Sequence, residues 1–284
     1  MPFLEGVNYE TKDEQQKGFM TEQAKETWGA GEPYEQYVGR WSRLVAREFV
    51  AGLGVPAGRT WGDIGCGTGA VTETILAANA PQLVRGVDRS QGFVSSAIRR
   101  LQDPRVELGV GDGISLPWTG ACCDAAVAGL VLNFVPDAAA MVREMARVTR
   151  PGGRVAAYVW DYSGGMEMMR HFWDAAIQVS PRDRALDQAE RFPLCQPGPL
   201  EDLFRESGLT AVAVHAIVVP TIFRDFDDYW TPFLGGQGAA PTYLKGLEEE
   251  TRGRIRALLQ ARLRPHMDGS IPLSARAWAV QGTV

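Results

Sequence analysis

The sequence predicts an α/β fold built on a doubly wound parallel sheet. Three observations carry this. Short apolar strands alternate with helical patterns between residues 60 and 160, a glycine loop joins the first strand to the helix after it, and 284 residues at 45% hydrophobic and 22% charged suit one large α/β domain. Alternation of that kind requires right-handed crossovers, which put helices on both faces of the sheet.

The first 33 residues are polar, acidic and without periodicity, and they close on Gly29, Gly31 and Pro33. They read as a mobile arm ahead of a domain spanning 34–284. Tyr34, Tyr37, Val38, Trp41, Leu44, Val45 and Phe49 then recur at helical spacing. Strands are expected at 60–64, 83–87, 106–110, 125–132 and 154–160, with helices at 70–80, 90–101 and 137–148 between them. Ser90 stands at an N-cap position, and RPGGR at 150–154 is a turn that feeds a strand. Beyond Trp160 the pattern changes: helices at 166–178 and 199–207, a long strand at 211–223, and an insertion at about 223–270 containing DFDDYWTPFL. The insertion ends in one charged amphipathic helix at 243–263, and a last strand at 271–280 follows.

Composition excludes several functions. Lys and Arg total 29 against 34 Asp and Glu, a net charge of −5 with no basic run, so the footprint of a duplex-binding protein is missing. The longest apolar stretch, from Ala121 to Val135, is interrupted by Asp124 and Asn133 and is too short to cross a membrane. The opening MPFLEGVNYE has no basic region followed by an apolar one. Cys66, Cys122, Cys123 and Cys195 form no CxxC pair, so neither a disulfide framework nor a metal site is expected, and a reducing cytoplasm is the expected location.

The sharpest motif is DIGCGTG, 63–69, between the first strand and its helix. Gly65, Gly67 and Gly69 let the backbone turn tightly and let a ligand approach without Cβ clashes. Such a loop also serves dinucleotides, as does Asp88 at the end of the second strand, where a carboxylate accepts ribose hydroxyls. Asp112 in GDGISLPW, at the end of the third strand, sits where a carboxylate accepts the exocyclic amine of adenine while the Gly113 amide faces the ring. The glycine spacing is GxGxG, not the dinucleotide GxGxxG.

Together these motifs resemble the class I S-adenosylmethionine-dependent methyltransferases, in the group that includes ubiquinone- and menaquinone-biosynthesis C-methyltransferases and many small-molecule methyltransferases. By motif the resemblance covers 34–160. It implies a Rossmann-like seven-stranded sheet with helical lid insertions, the last strand running antiparallel between its neighbours. S-adenosylmethionine is the implied cofactor and S-adenosylhomocysteine the product. The resemblance gives Asp63 and Gly65 the amino-acid end of the cofactor, with Gly67 and Gly69 shaping the loop. It gives Asp88 the ribose, Arg89 the adenosine flank, Asp112 and Gly113 the adenine, and Leu130 a backbone contact. Tyr37 and Trp41, one helical turn apart, become a lid face over the cofactor, against plain amphipathic packing as the ordinary account. Gly62, inside the first strand, departs from the usual large aliphatic residue and leaves a gap for Trp61 to fill.

Methyl transfer is an in-line displacement at a sulfonium methyl, so alignment and desolvation carry much of the catalysis, and a base is needed only for an acceptor that must lose a proton. The acceptor side is expected at the strand ends 132–134 and 160–162. Asp161 is the candidate base there, against a helix cap or an exposed loop carboxylate. His171 is the second, on a helix whose Met166, Met168, Met169, Phe172 and Trp173 suit either a pocket or the core. Trp230 and Phe233 suit a pocket cover or an anchor equally. Cys66 has no activating cation near it in sequence and is not expected to be a nucleophile. An NAD(P)-dependent oxidoreductase and a non-catalytic S-adenosylmethionine-binding protein are the alternatives. LNFVPD lacks the tandem prolines and tyrosine of a DNA amino-methyltransferase loop. The expected acceptor is therefore a small apolar or aromatic molecule, not a nucleic acid, met by a monomer or homodimer.

Overall fold

Five consecutive buried residues, Thr60–Ile64, form β1 in the interior of the sheet, a strand covered on both faces as parallel strands are. The computed structural model describes residues 37, 39–235 and 238–284. The expected arm at 1–33, and the start of the first helix, lie outside these residues. In chain order the elements are α1 (Arg40–Gly52), β1, α2 (Ala70–Asn79), β2 (Leu83–Asp88), α3 (Gln91–Arg100), β3 (Val106–Val110), β4 (Cys123–Gly129), α4 (Ala138–Val148) and β5 (Thr149–Trp160). After these come α5 (Glu167–Val179), α6 (Gln188–Arg191), α7 (Pro197–Glu206), β6 (Thr210–Phe223), α8 (Phe226–Trp230), α9 (Ala239–Lys245), α10 (Glu249–Arg262) and β7 (Ile271–Thr283).

The seven strands form one sheet in the order β3-β2-β1-β4-β5-β7-β6. Neighbours from β3 to β5 pair in parallel, and β7 runs antiparallel to both β5 and β6. Order reverses between β1 and β4, so the carboxyl ends of β1, β2, β4 and β5 meet around one crevice, the position such sheets give to ligands.

Local chemistry sets the edges of these elements. Ser90 caps α3 by accepting the Phe93 amide at 3.3 Å, and Asp137 caps α4 by accepting the Ala140 amide at 2.8 Å. Several expectations shift. RPGGR at 150–154, expected as a turn ahead of a strand, lies inside β5, which starts at Thr149. β4 stops at Gly129, and Leu132–Phe134 is a single 3-10 turn, because Leu130 takes a left-handed φ of 60° that ends the strand. The single helix expected at 243–263 is two: Gly246 ends α9, and Glu248 at ψ 152° is too extended to continue it. The gap at Gly62 is filled by Trp118, whose ring lies 3.0 Å from where a Cβ would stand, with Cys123 Sγ at 3.4 Å. Trp61 is not its filler, since neighbouring strand residues face opposite sides.

The insertion is bound into the core through α5. Phe233 stacks on Phe172 at 4.6 Å, Trp173 lies 5.3 Å from Tyr243, and the Tyr229 hydroxyl donates to the Met168 carbonyl at 2.9 Å. Tyr37 meets the same cluster at Phe233 (5.7 Å), and Trp41 packs edge-on against Phe223 (5.5 Å). Among the described residues no helix is long and apolar enough to cross a membrane.

Candidate functional site

The crevice at the strand ends holds a cleft of about 450 Å³. Its floor is the loop after β1. Val87 carbonyl accepts both the Gly65 amide (2.7 Å) and the Cys66 amide (3.0 Å), which ties the loop to β2. The loop then closes on itself through the Gly69 amide and the Cys66 carbonyl at 2.8 Å, with Gly69 as the N-cap of α2. Gly65 has a φ of 74°, and a Cβ there would stand 2.4 Å from Val131 Cγ2, so no other residue fits without moving the opposite wall.

Asp88 stands where β2 ends. One carboxylate oxygen accepts the Gly67 amide at 3.0 Å, the other the Ser90 amide at 2.8 Å, and both residues line the cleft beside it. Burial raises its pKa, while these two amides pull it back down. Each oxygen keeps a lone pair for a further donor, and the aspartate is anchored so that a diol can approach. Arg89 continues the wall. Asp112 reaches this end without lining the cleft: its Oδ2 is 3.9 Å from Arg89 Nε, and its other oxygen accepts the Ile114 amide at 3.2 Å. Gly113 is close-packed, a Cβ there meeting Ile64 Cγ2 at 3.0 Å.

Asp63 does not face the cleft. It is fully buried behind the loop, where Oδ2 accepts the Thr72 hydroxyl at 2.6 Å and Oδ1 has no hydrogen-bond partner. Burial pushes its pKa up to about 7, opposed by Thr72 and assisted by the nearby Asp88 charge. Cys66 lines the cleft with its thiol pushed well up by burial and by Asp63 and Asp88, which is the opposite of an activated nucleophile.

The other end of the cleft is aromatic. Leu130 and Val131 cross above β4, and the Leu130 amide donates to the Tyr158 carbonyl at 2.8 Å. Tyr158, Trp160 and Tyr162 project into the cleft together with Phe134 and, from α5, Met169. Gly129 makes room for this wall: a Cβ there would lie 2.7 Å from the Tyr158 hydroxyl oxygen.

Neither candidate base reaches the cleft. Asp161 is buried on the opposite side of β5, where Oδ2 accepts from Arg276 of β7 at 2.6 and 2.7 Å and Oδ1 from the Ser163 hydroxyl at 2.6 Å. It is neither a cap nor an exposed carboxylate. Burial works against its charge, but the Ser163 and Arg276 hydrogen bonds win and hold it below the usual carboxylate range. His171 faces a separate polar groove with Arg170, Asp174 and Arg262. Burial lowers its pKa, as do Arg262 and Arg170, against the pull of Glu167 and Asp174. Tyr37 and Trp41 are core residues and do not line the cleft, although Ser42, the next residue, does. Trp230 and Phe233 are anchors. All four of Met168, Met169, Phe172 and Trp173 on the methionine-rich helix are buried in the core, and of these Met169 also lines the cleft.

Tyr158 was missed by sequence reasoning, although period-two alternation along β5 groups 158, 160 and 162 and puts Asp161 on the other face. Ser42 and Phe93 gave no such signal.

Residues 62–157 match the methyltransferase domain family. Demethylmenaquinone methyltransferase from Bacillus licheniformis is 35% identical over 105 residues, 36% of this chain and 45% of that protein. The chain spans less than half the length of the first curated relatives it matches. Among solved structures, the YcgJ protein from Bacillus subtilis superposes at a TM-score of 0.55 with 19% identity, covering 86% of this chain and 98% of its own. Phosphoethanolamine N-methyltransferase 2 from Haemonchus contortus, solved with S-adenosyl-L-methionine, gives 0.54 and 15%, covering 84% and 52%. These two likenesses are of fold.

Proposed function

We propose, on the premise that residues 62–157 make this chain a class I S-adenosylmethionine-dependent methyltransferase, that it methylates a small apolar or aromatic molecule in the cleft. One observation carries the reading: the cleft is polar at one end, around Asp88 and the loop amides, and aromatic at the other. The polar end fits an adenosyl sulfonium cofactor, because Gly65 and Gly67 line it with bare backbone and Asp88 holds its carboxylate ready for hydroxyl donors. Asp88 then takes the ribose, the loop from Gly65 to Thr68 the amino-acid end, Leu130 a backbone contact, and Arg89 with Asp112 the adenine flank. When bound, S-adenosylmethionine supplies an electrophilic methyl group on sulfur.

The chain's own part is to align and to exclude water. Asp88 is the only carboxylate lining the cleft among the described residues, and it lies at the polar end, so among these residues the aromatic end has the Tyr158 and Tyr162 rings and no carboxylate or histidine. Apolar walls strip water from an approaching nucleophile and leave the sulfonium charge free to disperse as the methyl moves. A net charge of −5 speaks against a nucleic-acid partner, and the cysteine pattern supports work in the cytoplasm, as a monomer or homodimer. Titration calorimetry with S-adenosylhomocysteine, followed by mass spectrometry of a metabolite extract incubated with S-adenosylmethionine, tests the proposal. Cofactor binding and a methylene-sized mass gain on a small metabolite are expected. Absence of cofactor binding defeats it.

A further inference from the structure

The aromatic end of the cleft is held from behind by residues outside the cleft. Phe192, just after α6, packs edge-on against Phe134 at 5.2 Å and tilted against Tyr162 at 5.7 Å, and both of those rings line the cleft. Phe192 is fixed by α6, whose N-cap Asp187 accepts the Ala189 amide at 3.0 Å. Asp187 is also gripped by Arg170 of α5, at 2.7 and 3.3 Å, and the same guanidinium donates to the Tyr162 carbonyl at 3.4 Å. The pair is mostly shielded from water, with 18% of the Arg170 side chain and 5% of the Asp187 side chain exposed. One arginine therefore sets both the backbone of Tyr162 and the start of the helix that ends at Phe192.

We infer that Phe134 and Tyr162 form an acceptor clamp, with Phe192, Arg170 and Asp187 as its positioning residues, and that it takes a planar aromatic ring. The inference rests on the methyltransferase reading and deepens it by naming the acceptor class. Rings fixed in mutual edge and tilt contact present flat faces at set angles, and a flat acceptor gains stacking that a puckered one of equal volume does not. Apolar burial alone cannot make that distinction, since it scales with area and ignores shape.

The test uses the full chain saturated with S-adenosylhomocysteine and two probes of like size, 1-naphthol and decahydro-1-naphthol, titrated separately. The wild type is expected to bind the planar probe about tenfold more tightly than the saturated one. Phe192→Leu is expected to cut that ratio to about threefold or less without changing S-adenosylhomocysteine affinity, because Phe192 touches no part of the polar end. Arg170→Met should lower the ratio in the same way, and Arg170→Lys should restore part of it. General destabilisation weakens both probes together and leaves their ratio alone. A wild-type ratio near one, no binding of 1-naphthol, or an unchanged ratio in Phe192→Leu overturns the clamp while cofactor binding still stands. Failure of the wild type to bind S-adenosylhomocysteine overturns the methyltransferase reading, and the clamp with it.

Discussion

At Asp88, two backbone amides hold a carboxylate in place, so on the proposed reading a ribose diol would meet a charge whose orientation is already fixed. Asp88→Ala removes that acceptor and strands the Gly67 and Ser90 amides. Charge-assisted hydrogen bonds are worth about 1.5–3 kcal/mol each, so S-adenosylhomocysteine affinity should fall by about tenfold to a hundredfold, measured by calorimetry. Asp63 predicts a pH effect. Its folded pKa is raised to about 7 from 3.8, so between those values the folded state keeps a proton that the unfolded state has lost. The resulting stabilisation is complete below about pH 4 and is lost as the pH rises to about 7, a change on the order of 4 kcal/mol. Asp63→Asn, which cannot titrate, should show a flatter dependence of urea-unfolding free energy over that window. Equal slopes for the two proteins would mean that Asp63 is already ionised at low pH.

At the scale of elements, the end of β5 is joined to β7 by Asp161 and Arg276, the ion pair that takes Asp161 out of the chemistry. Arg276→Met leaves the almost fully buried Asp161 without its cation and should cost about 3 kcal/mol or more in unfolding free energy. Because the Asp161 pKa is depressed, this contribution is present above the carboxylate range and is lost as the pH falls through it, so the two proteins should converge in acid. Asp161→Asn separates the two roles assigned to this residue: stability should drop while methyl transfer per folded molecule persists. Loss of turnover with stability intact would restore Asp161 as a base. On α5, Phe172→Ala should cost about 3–5 kcal/mol as a core cavity. Met169 faces the cleft from the same helix, so its truncation belongs to acceptor binding.

For the whole molecule, one cleft at the crevice where strand order reverses predicts that a single class of ligand stabilises the fold. A ligand that binds only the folded state at one hundred times its Kd adds about 2.7 kcal/mol, so S-adenosylhomocysteine should raise the Tm measurably. NADH should not, since the loop has GxGxG spacing and its wall is completed by the Arg89–Asp112 end. A Tm rise with NADH alone would return the protein to the oxidoreductase alternative.

The strand–helix alternation, the glycine loop and Asp88 were legible in the sequence because each is a local matter: a period, a backbone conformation, a carboxylate at a strand end. They led to the sheet and to the polar end of the cleft. At the aromatic end, Phe134, Trp160 and Tyr162 fall within the strand ends 132–134 and 160–162 picked out from the sequence, but what holds them was not legible, because it is made of residues far apart in the chain. Phe134, Tyr162 and Phe192 meet only when α5 and α6 fold back over β5, and Arg170 joins them through Asp187. Asp161 and His171 looked catalytic by residue type and by nearness to a strand end. Tertiary packing alone decided that one faces Arg276 and the other a separate groove, since a side chain's face depends on what lies across from it and the sequence records only what lies beside it.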